Sequence, residues 1–426
     1  MSTTNTNLAA VTVFLGLLLT ACSPVTPELG VAVVEEPVAS PTDNLHPTIP
    51  PIPTASLRVT LTEEQTQAQE LEQVVTSTAQ CDERTLYQHS PVDLAAIEFI
   101  TPMGLMYDSH VTPVDHAYFQ NFKEPDREID VFSPAAGTVT GIQRMVASVS
   151  DEGDIAVDDY RIVIDHACSI SSIFIHVDKL SPSLAAAAPP LGDYASVQVP
   201  VEAGELIGSF TANVDYNLVD YNITLEKLLV PSTYESEPWK IHTPDYFDYY
   251  TPEIQEGFVA KSLRTIEPIA GQIAYDIDGR LVGNWFHKGT EGYRGVDRGR
   301  NWAGHLSIAY DHLDPRAVFV SIGTFDGRST QATVAGNRPD PADVTIDSGL
   351  VLYELVSYDY YVDGQHWDRT SLVKGLSLVP ASESDGVVGV IAVQLVGERE
   401  LLVETFPGLT LAEVEGFSDA VLTYVR

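Results

Sequence analysis

The rhythm of apolar and polar positions changes several times along the chain, and each change marks a boundary. Leu8 to Ala21 is an apolar run without a charged side chain, too short for the roughly 20 residues of a spanning helix. Residues 1–21 therefore read as a secretion signal, although Met1 to Asn7 carries no Lys or Arg. Residues 22–57 hold Pro24, Pro27, Pro37, Pro41, Pro47, Pro50, Pro51 and Pro53, whose fixed φ angles and missing donors predict an extended tether. Thr62-Glu63-Glu64-Gln65 then matches a capping box, and Leu71, Val74 and Val75 give one apolar stripe, which predicts a helix over 58–80.

Beyond Cys81 the text turns into short apolar runs broken by Gly, Pro and Asp, which predicts a β domain over 81–232. Its candidate strands are 95–100, 138–144, 161–165, 172–176 and 205–210. A tyrosine-rich connector over 233–265 follows, helical around Asp245 to Tyr250 and from Pro252 to Leu263, where proline suits a first turn. A second β domain over 266–426 carries runs at 271–275, 306–310, 317–322, 350–355 and 387–396. Gly283-Asn-Trp-Phe-His, the stretch from Trp302 and Arg338-Pro-Asp-Pro read there as turns and edges. The expected fold class is mainly β: an antiparallel β domain followed by a second domain that is a β-barrel or a sandwich.

Charge narrows the function. Against 60 Asp+Glu stand 23 Lys+Arg, a net charge of -37 over 426 residues, so nucleic acid is excluded as a partner by repulsion from every phosphate. Hydrophobic residues at 44% are enough to build packed cores, which excludes global disorder. The same charge would meet any other polyanion unfavourably at low salt. Such an acidic composition resembles that of exported proteins adapted to salty surroundings.

Leu19-Thr20-Ala21-Cys22-Ser23 resembles a prokaryotic lipobox. The resemblance implies that Cys22 is lipidated, becomes the first mature residue and anchors an extracytoplasmic protein to a membrane. The other reading is a plain signal peptide with an incidental cysteine. With Cys22 assigned to lipid, Cys81 and Cys168 remain, and in an oxidising compartment a disulfide between them is the simplest arrangement, two buried thiols being the other.

Four pieces within residues 99–220 occur in a telling order. They are Val131-Phe-Ser-Pro-Ala-Ala-Gly-Thr-Val, Arg161-Ile-Val-Ile-Asp-His-Ala-Cys, Ser172-Ile-Phe-Ile-His-Val and Val201-Glu-Ala-Gly-Glu-Leu-Ile-Gly. Together they resemble the β-sheet core of the lysostaphin-like (LytM) zinc endopeptidases, with its duplicated hybrid motif. The resemblance implies cleavage of cell-wall peptide cross-bridges by a zinc that polarises the scissile carbonyl and activates water. It implies a metal held by a His-x-x-x-Asp pair and the last His of a His-x-His motif, with further histidines assisting.

The chain departs from that pattern. Asp115 stands at the Asp ligand, but Val111 lies four residues before it and His110 five before, while His116 adds a neighbouring imidazole. His176 occupies the assisting, catalytic-type position. Asn213-Val-Asp-Tyr-Asn replaces His-x-His, which puts Asp215 at the third ligand and Asn213 at the second assisting histidine. A set of His110, Asp115 and Asp215 is harder than the family's and favours zinc less, so the cofactor expected is a divalent metal, zinc if any.

Three readings follow. The expected one is a degenerate LytM-like domain acting as a non-catalytic binding or regulatory module at the cell surface, with a cell-wall peptide or envelope protein as partner. The alternative is a metal-dependent endopeptidase using His110, Asp115, Asp215 and His176, and the third is a different function on a similar sheet. In each, the structural roles stay open: His166 and His176 as hydrogen-bonded core histidines, Asp215 and Asp220 as residues ordering a turn. His287, His305, His312 and His366 match no metal motif, and Trp285, Trp302 and Trp367 are expected to pack in cores, the other reading being the lining of a carbohydrate or peptide groove.

Overall fold

Alternating apolar runs supply nearly the whole framework of the computed structural model, which is mainly β with antiparallel sheets. It describes residues 87–146, 158–381 other than 296 and 298, and 386–426. The signal and Cys22, the tether, the 58–80 helix and Cys81 lie outside these residues.

The first β region contains β1 (Phe99–Thr101), β2 (Ala117–Gln120), β3 (Ile129–Phe132), β4 (Gly137–Val146), β5 (Asp158–His166), β6 (Ile170–Val177), β7 (Lys179–Leu180), β8 (Tyr194–Val201), β9 (Leu206–Phe210) and β10 (Asn213–Asp220). Seven of them form a sheet in the order β1-β2-β10-β6-β5-β4-β8, and β3-β9-β7 form a smaller one. The Val201 to Gly208 piece is the turn into β9, where Gly204 takes a φ of 75° that a side chain would strain. Cys168 sits in a 3-10 turn between β5 and β6 with a φ of 63°.

The buried strand β10 decides where chemistry can occur. Successive side chains of a strand point to opposite faces. Val214, Tyr216 and Leu218 enter an apolar cluster with Tyr246, Tyr250 and Phe258 of the connector. Asp215 and Asn217 therefore share the other face. The connector itself consists of 3-10 turns at Pro231–Tyr234, Pro238–His242 and Tyr246–Tyr249, followed by α-helix Pro252–Lys261 with its proline in the first turn.

The second β region is a closed barrel, which resolves the barrel-or-sandwich alternative. Its strands are β11 (Gly283–His287), β12 (His305–Tyr310), β13 (Val318–Phe325), β14 (Arg328–Val334) and β15 (Val351–Val356), then, after the small sheet of β16 (Tyr358–Val362), β17 (Gln365–His366) and β18 (Ser377–Pro380), β19 (Val387–Gly397), β20 (Glu400–Pro407) and β21 (Leu422–Val425). Closure comes from β11 pairing with β21, Phe286 opposite Val425. Trp285, Tyr353, Ile391 and Leu401 fill the interior.

Two expectations change here. Gly283 to His287, read as a turn or edge, is the buried strand β11. Residues 271–275, read as a strand, make only an isolated bridge from Gly271 to Met103. That segment runs where sheet and barrel meet, so its apolar residues are buried by packing rather than by strand pairing: Ile273 and Ala274 join the sheet's core. A further cluster of Phe99, Met106, Phe319, Tyr360 and Trp367 spans both regions.

Candidate functional site

The polar face of β2 and β10 carries the candidate site. Asp215 pairs across the sheet with Tyr118 of β2 and with Ile175 of β6, so these side chains share a face. His116 precedes Tyr118 by two and joins them. By the same alternation His176 should point away from Ile175's face. It does not, because its φ of 66° breaks the strand geometry next to a register shift between β5 and β6. Backbone strain of this kind at a polar side chain marks a position that the surroundings over-determine.

The result is a connected cluster. His116 Nδ1 lies 3.3 Å from Asp115 Oδ1, and its Nε2 lies 3.1 Å from the Tyr118 hydroxyl and 3.3 Å from Asp215 Oδ2. His176 Nε2 lies 3.6 Å from the same Asp215 oxygen, while its Nδ1 lies 3.0 Å from Asp159 Oδ2. Asn213 Nδ2 donates to Asp215 Oδ1 at 3.3 Å. Asn217 Nδ2 donates to Asp115 Oδ2 at 3.2 Å. The β10 side chain that hydrogen-bonds Asp115 is thus Asn217, two residues beyond Asp215, which instead bridges the two imidazoles. His110 approaches His116 edge-on, with ring centroids 5.9 Å apart.

Lys240 completes the cluster, and sequence reasoning missed it. Its side chain is buried, and Nζ lies 4.0 Å from Asp115 Oδ1. The turn that carries it is fixed to the sheet from several sides. Leu225 donates its backbone N–H to Ile241 O at 2.8 Å, and the Thr243 hydroxyl donates to Asn217 Oδ1 at 3.4 Å. From the barrel, Tyr293 on the β11–β12 connection places its ring 5.1 Å from Nζ. Burial, with the neighbouring Glu237 and Asp115 charges, pushes the Tyr293 hydroxyl well above its usual range. Glu237, Asp159, Asn217 and Tyr293 were not singled out either. The one sequence signal available was period two, which places Asn217 on Asp215's face.

These contacts set the charges. Burial would raise the Asp115 carboxyl, but the Lys240 charge and the His116 hydrogen bond hold it well below the usual range. Burial alone would lower His176, yet the Asp215 charge and the Asp159 hydrogen bond outweigh it and raise the imidazole to about 9. Burial pushes Asp215 up, against the pull of its two imidazole neighbours. Burial likewise raises Glu237 to about 7 and lowers His110 and His305 to about 3.

A pH profile follows from these directions. His176 has a folded value above the 6.5 of a free imidazole, so its contribution is complete below about pH 6.5 and is lost as pH rises through about 9. The spacing between those values corresponds to about 3 kcal/mol. His110 and His305 act oppositely and cost stability as pH falls below 6.5. Urea unfolding of the wild type should therefore lose midpoint between pH 6.5 and 9, and a His176→Gln variant should be much flatter over that window. Equal slopes would remove His176 as the cause.

The donor set does not suit a catalytic zinc. Structural and catalytic zinc sites need three or more donors converging on one point at about 2.0–2.3 Å. Here Asp115 has one oxygen facing His116 and Lys240 and the other accepting from Asn217, whose amide nitrogen is a donor and no ligand. An ammonium within 4.0 Å of the carboxylate repels a dication. Among the described residues no three or more His, Cys, Asp or Glu side chains form a metal-holding group. The residues do not fit the His110, Asp115 and Asp215 set expected from the sequence. His166 is a core histidine, its Nε2 2.9 Å from the Ser172 hydroxyl. His287, His305, His312 and His366 are likewise not gathered into a site: His305 Nε2 lies 3.0 Å from Tyr293 O, and His312 lies against Asp311.

No protein-family model matches the chain. No curated protein matches it. Among solved structures, the SpoIIQ-SpoIIIAH pore-forming complex is similar over 32% of this chain and 85% of that one, at 13% identity and a TM-score of 0.21. A zinc-containing peptidase from Vibrio cholerae is similar over 32% of this chain, at 16% identity and a TM-score of 0.19, and the match spans 37% of the peptidase's length. Scores this low assign neither a fold family nor an activity to the chain.

Proposed function

We propose that this chain is an envelope-anchored lipoprotein whose first β domain is a degenerate LytM-like domain, serving as a non-catalytic binding or regulatory module at the cell surface. The order of the four motif pieces supports the LytM-like reading, and the lipobox at Cys22 supports the anchor. A Cys81–Cys168 disulfide fits the exported location, and a cell-wall peptide or an envelope protein is the partner class. The observation that carries the loss of catalysis is the buried Lys240 ammonium beside Asp115. It supplies positive charge where a hydrolytic metal would be needed and offers no position for activated water. The altered His/Asp/Asp endopeptidase has no comparable support.

The test uses the full chain in detergent with added zinc or manganese. Glycine-rich and D-Ala-containing cross-bridge peptides should remain uncut over extended incubation, while immobilised chain should retain a component of the envelope fraction. Metal-dependent cleavage would overturn the non-catalytic reading. Separately, Cys22→Ala should move the chain from the membrane to the soluble fraction; continued membrane association would remove the lipid anchor.

A further inference from the structure

A buried ammonium facing a buried carboxylate is a costly arrangement, because each charge has given up its water. Lys240 Nζ lies 4.0 Å from Asp115 Oδ1, and the two side chains are only 2% and 8% exposed. The Tyr293 ring covers Nζ from the barrel side, its centre 5.1 Å away. Condensing such a pair into an amide removes both charges and expels one water, so the desolvation cost disappears with the product. Three neighbours supply what that reaction needs. Asn217 Nδ2 donates to Asp115 Oδ2 at 3.2 Å, where negative charge develops when an amine adds to the carboxyl carbon. His116 Nδ1 lies 3.3 Å from Oδ1, the oxygen on the lysine's side. Glu237 opens the short turn that carries Lys240, and the Lys240 backbone N–H donates to Glu237 O at 3.0 Å. Side chains three apart eclipse in such a turn, and the charges of both Lys240 and Asp115 act on the Glu237 carboxyl. Burial brings that carboxyl to about 7, which suits a group that takes a proton and returns it.

We propose that Lys240 Nζ and Asp115 Cγ join in an intramolecular amide bond, a self-made cross-link between the connector and the residues just before β2, with Glu237 as its proton carrier. The ion pair described above is the reactant. Glu237 takes one proton from the ammonium and passes it to Oδ1. The amine lone pair then adds to Cγ, and the C–N bond forms. A second proton leaves the nitrogen through Glu237, and Oδ1 departs with both protons as water. Oδ2 remains as the amide oxygen, accepting from Asn217. Carboxylate and ammonium thus become amide and water without an oxidant, a reductant or a further reactant, and Glu237 is restored. The inference rests on the non-catalytic reading, since the amide consumes the Asp115 carboxylate.

The experiment is a tryptic digest of the denatured full chain, read by mass spectrometry. Lys240 is followed by Ile241, so a free lysine is cut there, and Asp115 falls in peptide 85–123. The bond should block that cut and join peptide 85–123 to peptide 228–261 at a mass one water below their sum. On a denaturing gel the wild type should run ahead of Lys240→Arg, which keeps the charge without the nucleophilic amine. Glu237→Gln keeps both partners and should show at most about a tenth of the wild-type fraction joined at the same time after synthesis. Separate peptides with a cut at Lys240 throughout the wild-type preparation would overturn the proposal, a result that needs no variant to fold. An equal joined fraction in Glu237→Gln would overturn the part given to Glu237. Cleavage of cross-bridge peptides by the wild type would instead sink the non-catalytic reading, so the two failures are distinguishable.

Discussion

Asp276→Ala should lower the stability of the folded chain by about 3–5 kcal/mol, because it leaves a buried guanidinium without its counter-charge. Asp276 Oδ1 lies 3.2 Å from Arg426 Nη1, and both side chains are almost wholly buried. The same carboxylate accepts the backbone N–H groups of Asn284 at 2.8 Å and Leu229 at 3.2 Å. It therefore joins the stretch that follows β10, the first barrel strand and Arg426. Arg426 also donates to Val282 O at 2.7 Å and covers the Trp285 ring at 3.7 Å. Gly283 shows how close this packing is: at a φ of 119°, a Cβ there would meet Asp276 Oδ1 at 2.0 Å. A urea midpoint measured by tryptophan fluorescence reads the effect directly. A loss below about 1 kcal/mol, the range of an exposed pair, would show that water reaches the guanidinium.

Asp115→Ala should cost a comparable amount, about 3–5 kcal/mol, by stranding the Lys240 ammonium. Asn217 loses its acceptor in the same step, and a buried donor left unpaired adds about 1–3 kcal/mol if no water replaces the carboxylate. Asp115→Asn keeps the shape and removes only the charge, so the difference between the two variants separates hydrogen bonding from charge. The catalytic reading expects something else: loss of metal-dependent cleavage, with little change in melting. Equal melting of wild type and Asp115→Ala would mean that Lys240 is not held by this carboxylate.

How much of this was legible in the sequence depends on range. The strands β5, β6 and β12 follow from local alternation, and so does the turn at Gly204, where only a few neighbouring residues matter. The helix from Pro252 shows in its first-turn proline. Strand β11 was hidden because Gly283-Asn-Trp-Phe-His mixes turn formers with aromatics, and its strand character comes from pairing with β12 and the distant β21. Asp115 and His176 were legible as chemistry-bearing residues through their motif context. Their partners were not. Lys240 reaches Asp115 from a turn of the connector well downstream in the chain, and no spacing rule links the two. The left-handed backbone at His176 turned a residue expected on one face toward the other, and nothing in Ser172-Ile-Phe-Ile-His-Val announces that bend.

Closure of the barrel through β11 and β21 also imposes an order of events on a chain made from its N-terminus. The sheet domain and Lys240 precede the barrel in synthesis, whereas β11 lacks one of its two ladder partners until Leu422 to Val425 has emerged. Pairings between such distant segments carry a large loop-closure entropy and form late. Until then β11 presents an open edge holding Trp285 and Phe286, which makes the nascent barrel, rather than the finished one, the state in which this acidic chain is exposed to mispairing.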